Sequence, residues 1–124
     1  MEKSKILIVD DEPDFALLFK KRLEAYGYQV GIAVNGSEGL KKIKAERPDL
    51  VLLDILMPEK DGYTMLREMK EDEDIKKTPV IVVTAKPYMQ DLFEVEGIHD
   101  YFVKPIEDLD LILRIKMVLN RKDR

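Results

Sequence analysis

At 124 residues, with 25 acids against 21 bases and no cysteine, the chain has room for one domain, residues 1–124, and excludes disulfides, thiolate metal sites and thiol nucleophiles. Its net charge of -4 argues against a direct nucleic-acid binder, which would carry a basic patch. With 45% apolar residues it is globular. No apolar run approaches the ~20 residues of a membrane span, and the N-terminal run Ile6 to Val9 is too short for a signal peptide, so a soluble cytoplasmic protein is expected.

Short Ile/Val/Leu runs alternate with longer amphipathic stretches. Ile6 to Val9 reads as a first strand. Pro13 suits a first helical position, Phe15, Phe19, Leu23 and Tyr26 recur at spacings of three and four on one helix face, and Gly27 suits the helix end. Val30 to Val34, broken by Gly31, is a second strand. Asn35 followed by Glu38 reads as an N-cap with its capping-box partner before Leu40 and Ile43, and Pro48 stops that second helix. Leu50 to Leu53 is a third strand and Asp61 to Met69 a third helix. The acidic run Glu71 to Asp74 is a solvated loop. Val80 to Val83 is a fourth strand, Met89 to Val95 a short fourth helix, and Tyr101 to Val103 a fifth strand. Ile106 to Leu119 is a fifth helix with Ile112, Ile115 and Leu119 on one side. Leu111, Leu113, Met117 and Val118 add to its inward face, wider than a surface helix needs, which suggests contact with a partner or a second copy.

Continuous rather than alternating apolar strands imply burial on both faces, hence a parallel sheet with helices on both sides. Right-handed crossovers make the doubly wound α/β form the natural solution. In such sheets ligands bind beyond the carboxyl ends of the strands. There the chain places Asp10, Asp11 and Glu12 after the first strand, Asp54 after the third, Thr84 after the fourth and Lys104 after the fifth.

Converging carboxylates repel one another unless a cation offsets them. Oxygen ligands without cysteine or a well-placed histidine suit a hard divalent ion, Mg²⁺ foremost. With the Lys104 ammonium and the Thr84 hydroxyl, that set forms a cradle for a phosphoryl group. A carboxylate can itself be the nucleophile, and Asp54, standing singly at the sheet centre, is the best candidate, while Asp10 and Asp11 form a pair suited to the metal. Each residue alone has an ordinary reading as cap, turn or solvated side chain. Their coincidence at one sheet edge does not.

At this point the chain resembles the receiver domain of two-component response regulators over essentially its whole length. The acidic pair in ILIVDDE, the acceptor in LLDILMPEKDG, the threonine in VIVVTA and the segment Tyr101-Phe102-Val103-Lys104-Pro105 carry the resemblance. It implies a flavodoxin-like (βα)5 three-layer sandwich with strand order 2-1-3-4-5. It implies that Asp54 is the phosphoacceptor and that Lys104 pairs with the phosphoryl group. The metal, Mg²⁺ or Mn²⁺, would be held by Asp10, Asp11, Asp54 and the backbone carbonyl of Leu56, with Asp11 the more direct ligand of the acidic pair. Thr84 and Tyr101 resemble the switch pair. The donor would be a sensor histidine kinase or histidine phosphotransfer protein. The surface of the fourth helix, fifth strand and fifth helix would read the state out to an effector or in a homodimer. Such a protein is a signalling switch, catalysing only its own phosphorylation and dephosphorylation.

Some features depart from the pattern. The interval from Thr84 to Lys104 is short by about half a helical turn and holds Pro87, which bears on the readout surface more than on the chemistry. Leu56 and Lys86 lie two residues beyond the acceptor and the threonine, and an apolar Leu56 offers an attacking water no hydrogen bond, so a phosphoryl lifetime of minutes or longer is expected. His99, the sole histidine, reads as a surface residue, so the phosphoryl group comes from outside. A haloacid-dehalogenase-type phosphatase would need a second aspartate where Leu56 stands. A flavodoxin-type module would need a hydroxyl- and glycine-rich loop where Asp10-Asp11-Glu12 stand. An unphosphorylated scaffold would not need the intact acid, threonine and lysine set. Of the 25 acids, Asp10, Asp11, Glu12, Asp14, Asp54, Glu59 and Asp61 fall at or near the proposed edge. The other 18 face 21 bases, so the acidity belongs to the site rather than to the domain at large.

Overall fold

The computed structural model describes residues 3–54, 62–84, 100–104 and 107–122. The strands are β1 (Lys5–Val9), β2 (Gln29–Ala33), β3 (Leu50–Leu53), β4 (Val80–Thr84) and β5 (Asp100–Val103). Helices α1 (Pro13–Ala25), α2 (Gly36–Glu46) and α3 (Gly62–Glu71) alternate with them, and a C-terminal helix (Asp108–Lys122) closes the chain. All neighbouring strands pair in parallel, in the order β2-β1-β3-β4-β5. This is the flavodoxin-like doubly wound sheet that the sequence predicts. The expected fourth helix, Met89 to Val95, lies outside the described residues, as do Leu56, Lys86, Pro87, His99, Pro105 and Ile106.

Both sheet faces are covered, and the period of two divides each strand between two cores. Ile6, Ile8, Leu50, Leu52, Ile81 and Val83 face α1 and the C-terminal helix, meeting Phe19, Leu23, Leu111, Ile112, Ile115 and Val118. Leu7, Val9, Val51, Leu53, Val80 and Val82 face the other way, against Ile43 of α2 and Met65, Leu66 and Met69 of α3. The central strands β3 and β4 are buried at every residue, which is why they read as unbroken apolar runs.

Local signals set the helix ends. Pro13 opens α1, and the chain turns out of that helix through Tyr26 and Gly27, whose φ of 96° suits glycine. Tyr26, expected on one helix face with Phe15, Phe19 and Leu23, is the C-cap residue and is exposed. The Asn35 side chain accepts a hydrogen bond from the Glu38 amide at 2.9 Å, capping α2. The Glu38 carboxylate pairs with Lys42 one turn on, at 3.2 Å. At the other end Pro48 bars the α region to Arg47, which takes the left-handed conformation (φ 51°) and donates from its guanidinium to the Asp74 carbonyl at 2.9 Å. The C-terminal helix buries Leu111, Ile112, Ile115, Val118 and Leu119, whereas Leu109, Leu113 and Met117 are exposed. The expectation that Leu113 and Met117 face inward is therefore corrected. Spaced four apart with Leu109, they lie on an exposed side of the helix, where Leu113 and Met117 line an open groove with Phe102 of β5.

Asn35→Ala removes the cap of α2 without touching the sheet edge, and we expect it to cost about 1 kcal/mol of stability, read by chemical denaturation. An unchanged midpoint would show that the cap is not needed.

Candidate functional site

The sheet ladder carries the functional residues into place. Val9 pairs in register with Leu53, and Thr84 with Val103. Beyond those pairs the ladder continues for one residue. The Asp10 amide donates to the Ala33 carbonyl at 3.0 Å, the Asp54 amide to the Val9 carbonyl at 2.9 Å, and the Lys104 amide to the Thr84 carbonyl at 2.7 Å. Each chemical residue is thus the first one past its strand, pinned by a backbone bond to the neighbouring strand. Rigid placement on a sheet is more precise than placement on a free loop.

Asp10 is 2% exposed, Asp54 4% and Thr84 0%; among the described residues these are the buried polar or charged side chains. Lys104 reaches over them with 11% of its side chain exposed. Its Nζ donates to Asp10 Oδ2 at 2.8 Å and to Glu12 Oε1 at 2.7 Å, and stands 3.5 Å from Asp54 Oδ2. The second oxygen of Asp10 accepts the Glu12 amide at 2.8 Å, a local turn that fixes the carboxylate and aims the chain into α1.

Burial pushes the Asp10 carboxyl up from 3.8 to about 6, even though Lys104 and the Glu12 amide both pull it down; the nearby Asp54 charge adds to the rise. On Lys104 burial pulls downward, but the Asp10 and Glu12 carboxylates outweigh it and hold the ammonium above its usual value. Removing a carboxylate from water is therefore the dominant cost at this site, offset in part by one shared cation.

Oxygen atoms of Asp10, Glu12 and Asp54 lie within 4.8 Å of one another. Three carboxylates without a nitrogen or sulfur donor match a hard divalent cation. Asp11 is exposed and lies outside that group. Thr84 ends β4, and Tyr101 is half-buried beside the α2–α3 core, in register with Val82. The structure thus brings Asp10, Asp54 and Lys104 together, sets Thr84 at the same edge, and leaves the Leu56 carbonyl outside the described residues. Sequence reasoning counted Glu12 among the converging acids but missed that it grips Lys104. Its spacing of two from Asp10, at a helix start, is the signal for that turn.

Residues 6–116 match the family model described as the response regulator receiver domain. The chain is 40% identical over 126 residues to the probable transcriptional regulator ycf27 of Porphyridium aerugineum, covering 100% of this chain and 51% of that protein. It is 37% identical over 118 residues to protein PilH of Pseudomonas aeruginosa, covering 94% and 98% of the two chains. Among solved structures, the signal receiver domain of a signal transduction histidine kinase from Syntrophus aciditrophicus superposes with a TM-score of 0.89 at 36% identity, over 98% of this chain and 93% of that one. A CheY-like receiver domain protein from Methanospirillum hungatei gives 0.90 at 31%, over 98% of each chain. The chain therefore belongs to the response regulator receiver family, whose members are signalling switches of two-component systems. It spans about half the length of the curated regulators first matched, such as ycf27.

The raised Asp10 value has a stability consequence. Because the carboxyl binds its proton more tightly folded than unfolded, the folded chain holds the extra proton between about pH 4 and pH 6, and Asp10's contribution to stability declines as pH rises through that window. We expect Asp10→Asn to raise the metal-free stability at pH 7.5 by about 1–2 kcal/mol, with the advantage shrinking toward pH 4. Denaturation at both pH values checks this; a variant less stable than the parent at pH 7.5 would contradict it.

Proposed function

We propose that Asp54 is the phosphoacceptor and that the chain takes its phosphoryl group from a phosphohistidine on a sensor kinase or phosphotransfer protein. A carboxylate oxygen of Asp54 forms the new P–O bond, the P–N bond to the donor imidazole breaks, and the electron pair leaves with that imidazole. The observation that carries this reading is the buried Asp54 carboxylate held 3.5 Å from the Lys104 ammonium at the carboxyl edge of the central strand.

Asp10 and Asp54, with Glu12 in reach and Asp11 exposed on the same turn, would hold a Mg²⁺ ion, for which an all-carboxylate set is suited. When bound, it supplies positive charge to screen the acids and the incoming phosphoryl oxygens. Lys104 neutralises the phosphoryl group from the end of β5, exchanging carboxylate partners for a group whose charge is near -2. Thr84 donates its hydroxyl to that group, and the space it leaves is taken by Tyr101. The surface of β5, the C-terminal helix and the segment before them then carries the change to an effector or a second copy. A switch driven from 1:99 to 99:1 needs roughly 5.5 kcal/mol, which a few charge-assisted hydrogen bonds can supply. Among the described residues no helix is long and apolar enough to cross a membrane. We place this chemistry in the cytoplasm, where a kinase can reach it.

Incubation with acetyl phosphate and Mg²⁺ is expected to add one phosphoryl group by intact mass, lost with EDTA and absent in Asp54→Asn. An unmodified wild type, or an Asp54→Asn variant that still gains the mass, would overturn the assignment.

A further inference from the structure

Helix α1 starts directly after the site turn, and its first full turn brings an aromatic ring under the lysine. Lys104 Nζ lies 4.1 Å from the centroid of the Phe15 ring. Phe15 is held in turn by Phe19, with ring centroids 4.6 Å apart and planes inclined by 32°. Phe19 is buried in the core between α1 and the C-terminal helix. The Arg22 guanidinium lies over Phe19 at 5.5 Å and forms an ion pair with Asp108, the first residue of the C-terminal helix. The spacings 15, 19 and 22 place these three side chains on one stripe of α1, as successive neighbours along the helix.

We propose that Phe15 is a positioning residue for Lys104: its ring face fixes where the ammonium stands when it leaves Asp10 and Glu12 for the phosphoryl group on Asp54. This rests on the reading of Asp54 as acceptor. A lysine stem has four rotatable bonds and loses much freedom when held in one place. Carboxylates hold it from one side, but they are the groups it must give up. The ring is a contact that survives that exchange, since a cation is attracted to an aromatic face whatever anion lies beyond it. Seated on Phe19, the ring needs little reorganisation of its own.

The test is a double-mutant cycle on the acetyl phosphate rate, followed by intact mass at saturating Mg²⁺. Phe15→Leu keeps apolar bulk and removes the ring face. We expect it to slow phosphorylation by about three- to tenfold, whereas Phe15→Tyr, which retains the face, stays within twofold of wild type. In a Lys104→Met background the change Phe15→Leu should have no further effect, because the cation it positions is gone. Thermal melts of each variant check that all are folded at the assay temperature. An equal loss from Phe15→Leu with and without Lys104 would assign the ring to packing alone and overturn the proposal, as would a Phe15→Leu rate within twofold of wild type. Failure of the underlying reading looks different: the wild type itself would take up no phosphoryl group.

Discussion

Among the described residues, one ammonium, that of Lys104, holds the carboxyl edge of the sheet together. Lys104 contacts Asp10 and Glu12 within hydrogen-bonding range and Asp54 at ion-pair distance, and two of those carboxylates are almost wholly removed from water. Without a cation, packing them side by side would be opposed both by desolvation and by mutual repulsion. The rise of the Asp10 carboxyl to about 6 shows that even with the lysine present the balance is not fully restored. On the proposed reading, this excess of negative charge lets the site take up a further cation and then a phosphoryl group in turn.

That arrangement depends on the sheet. Asp10, Asp54 and Lys104 are each pinned by a backbone hydrogen bond one step past their strands, so their positions follow from strand register rather than from loop conformation. Register is in turn set by two-sided burial: slipping any central strand by one residue would exchange the two cores. The core thus has a role at a distance, keeping Asp10, Asp54 and Lys104, which follow three different strands, at one level.

Much of this was legible in the sequence because it is written in short-range patterns. Unbroken apolar runs gave the parallel sheet, the interval between Asn35 and Glu38 gave the cap of α2, and the residues after the strands gave Asp10, Asp54, Thr84 and Lys104. What was missed depends on three-dimensional neighbours. Glu12 read as one more acid, because only the fold shows that Lys104, 92 residues away, reaches it. Phe15 read only as part of one helix face, since helical spacing cannot distinguish a ring packed in the interior from one lying under an ammonium. Leu113 and Met117 were assigned inward because composition marks a face as apolar without saying which of two apolar stripes meets the sheet.

The claim that one shared cation governs the site is tested most directly by removing it and supplying another. In Lys104→Met the acids lose their ammonium while the stem keeps much of its bulk. Denaturation at pH 7.5 without divalent ions should show a loss of about 2 kcal/mol, largely recovered by millimolar Mg²⁺. A variant as stable as the parent without Mg²⁺, or one whose loss Mg²⁺ does not repair, would contradict it.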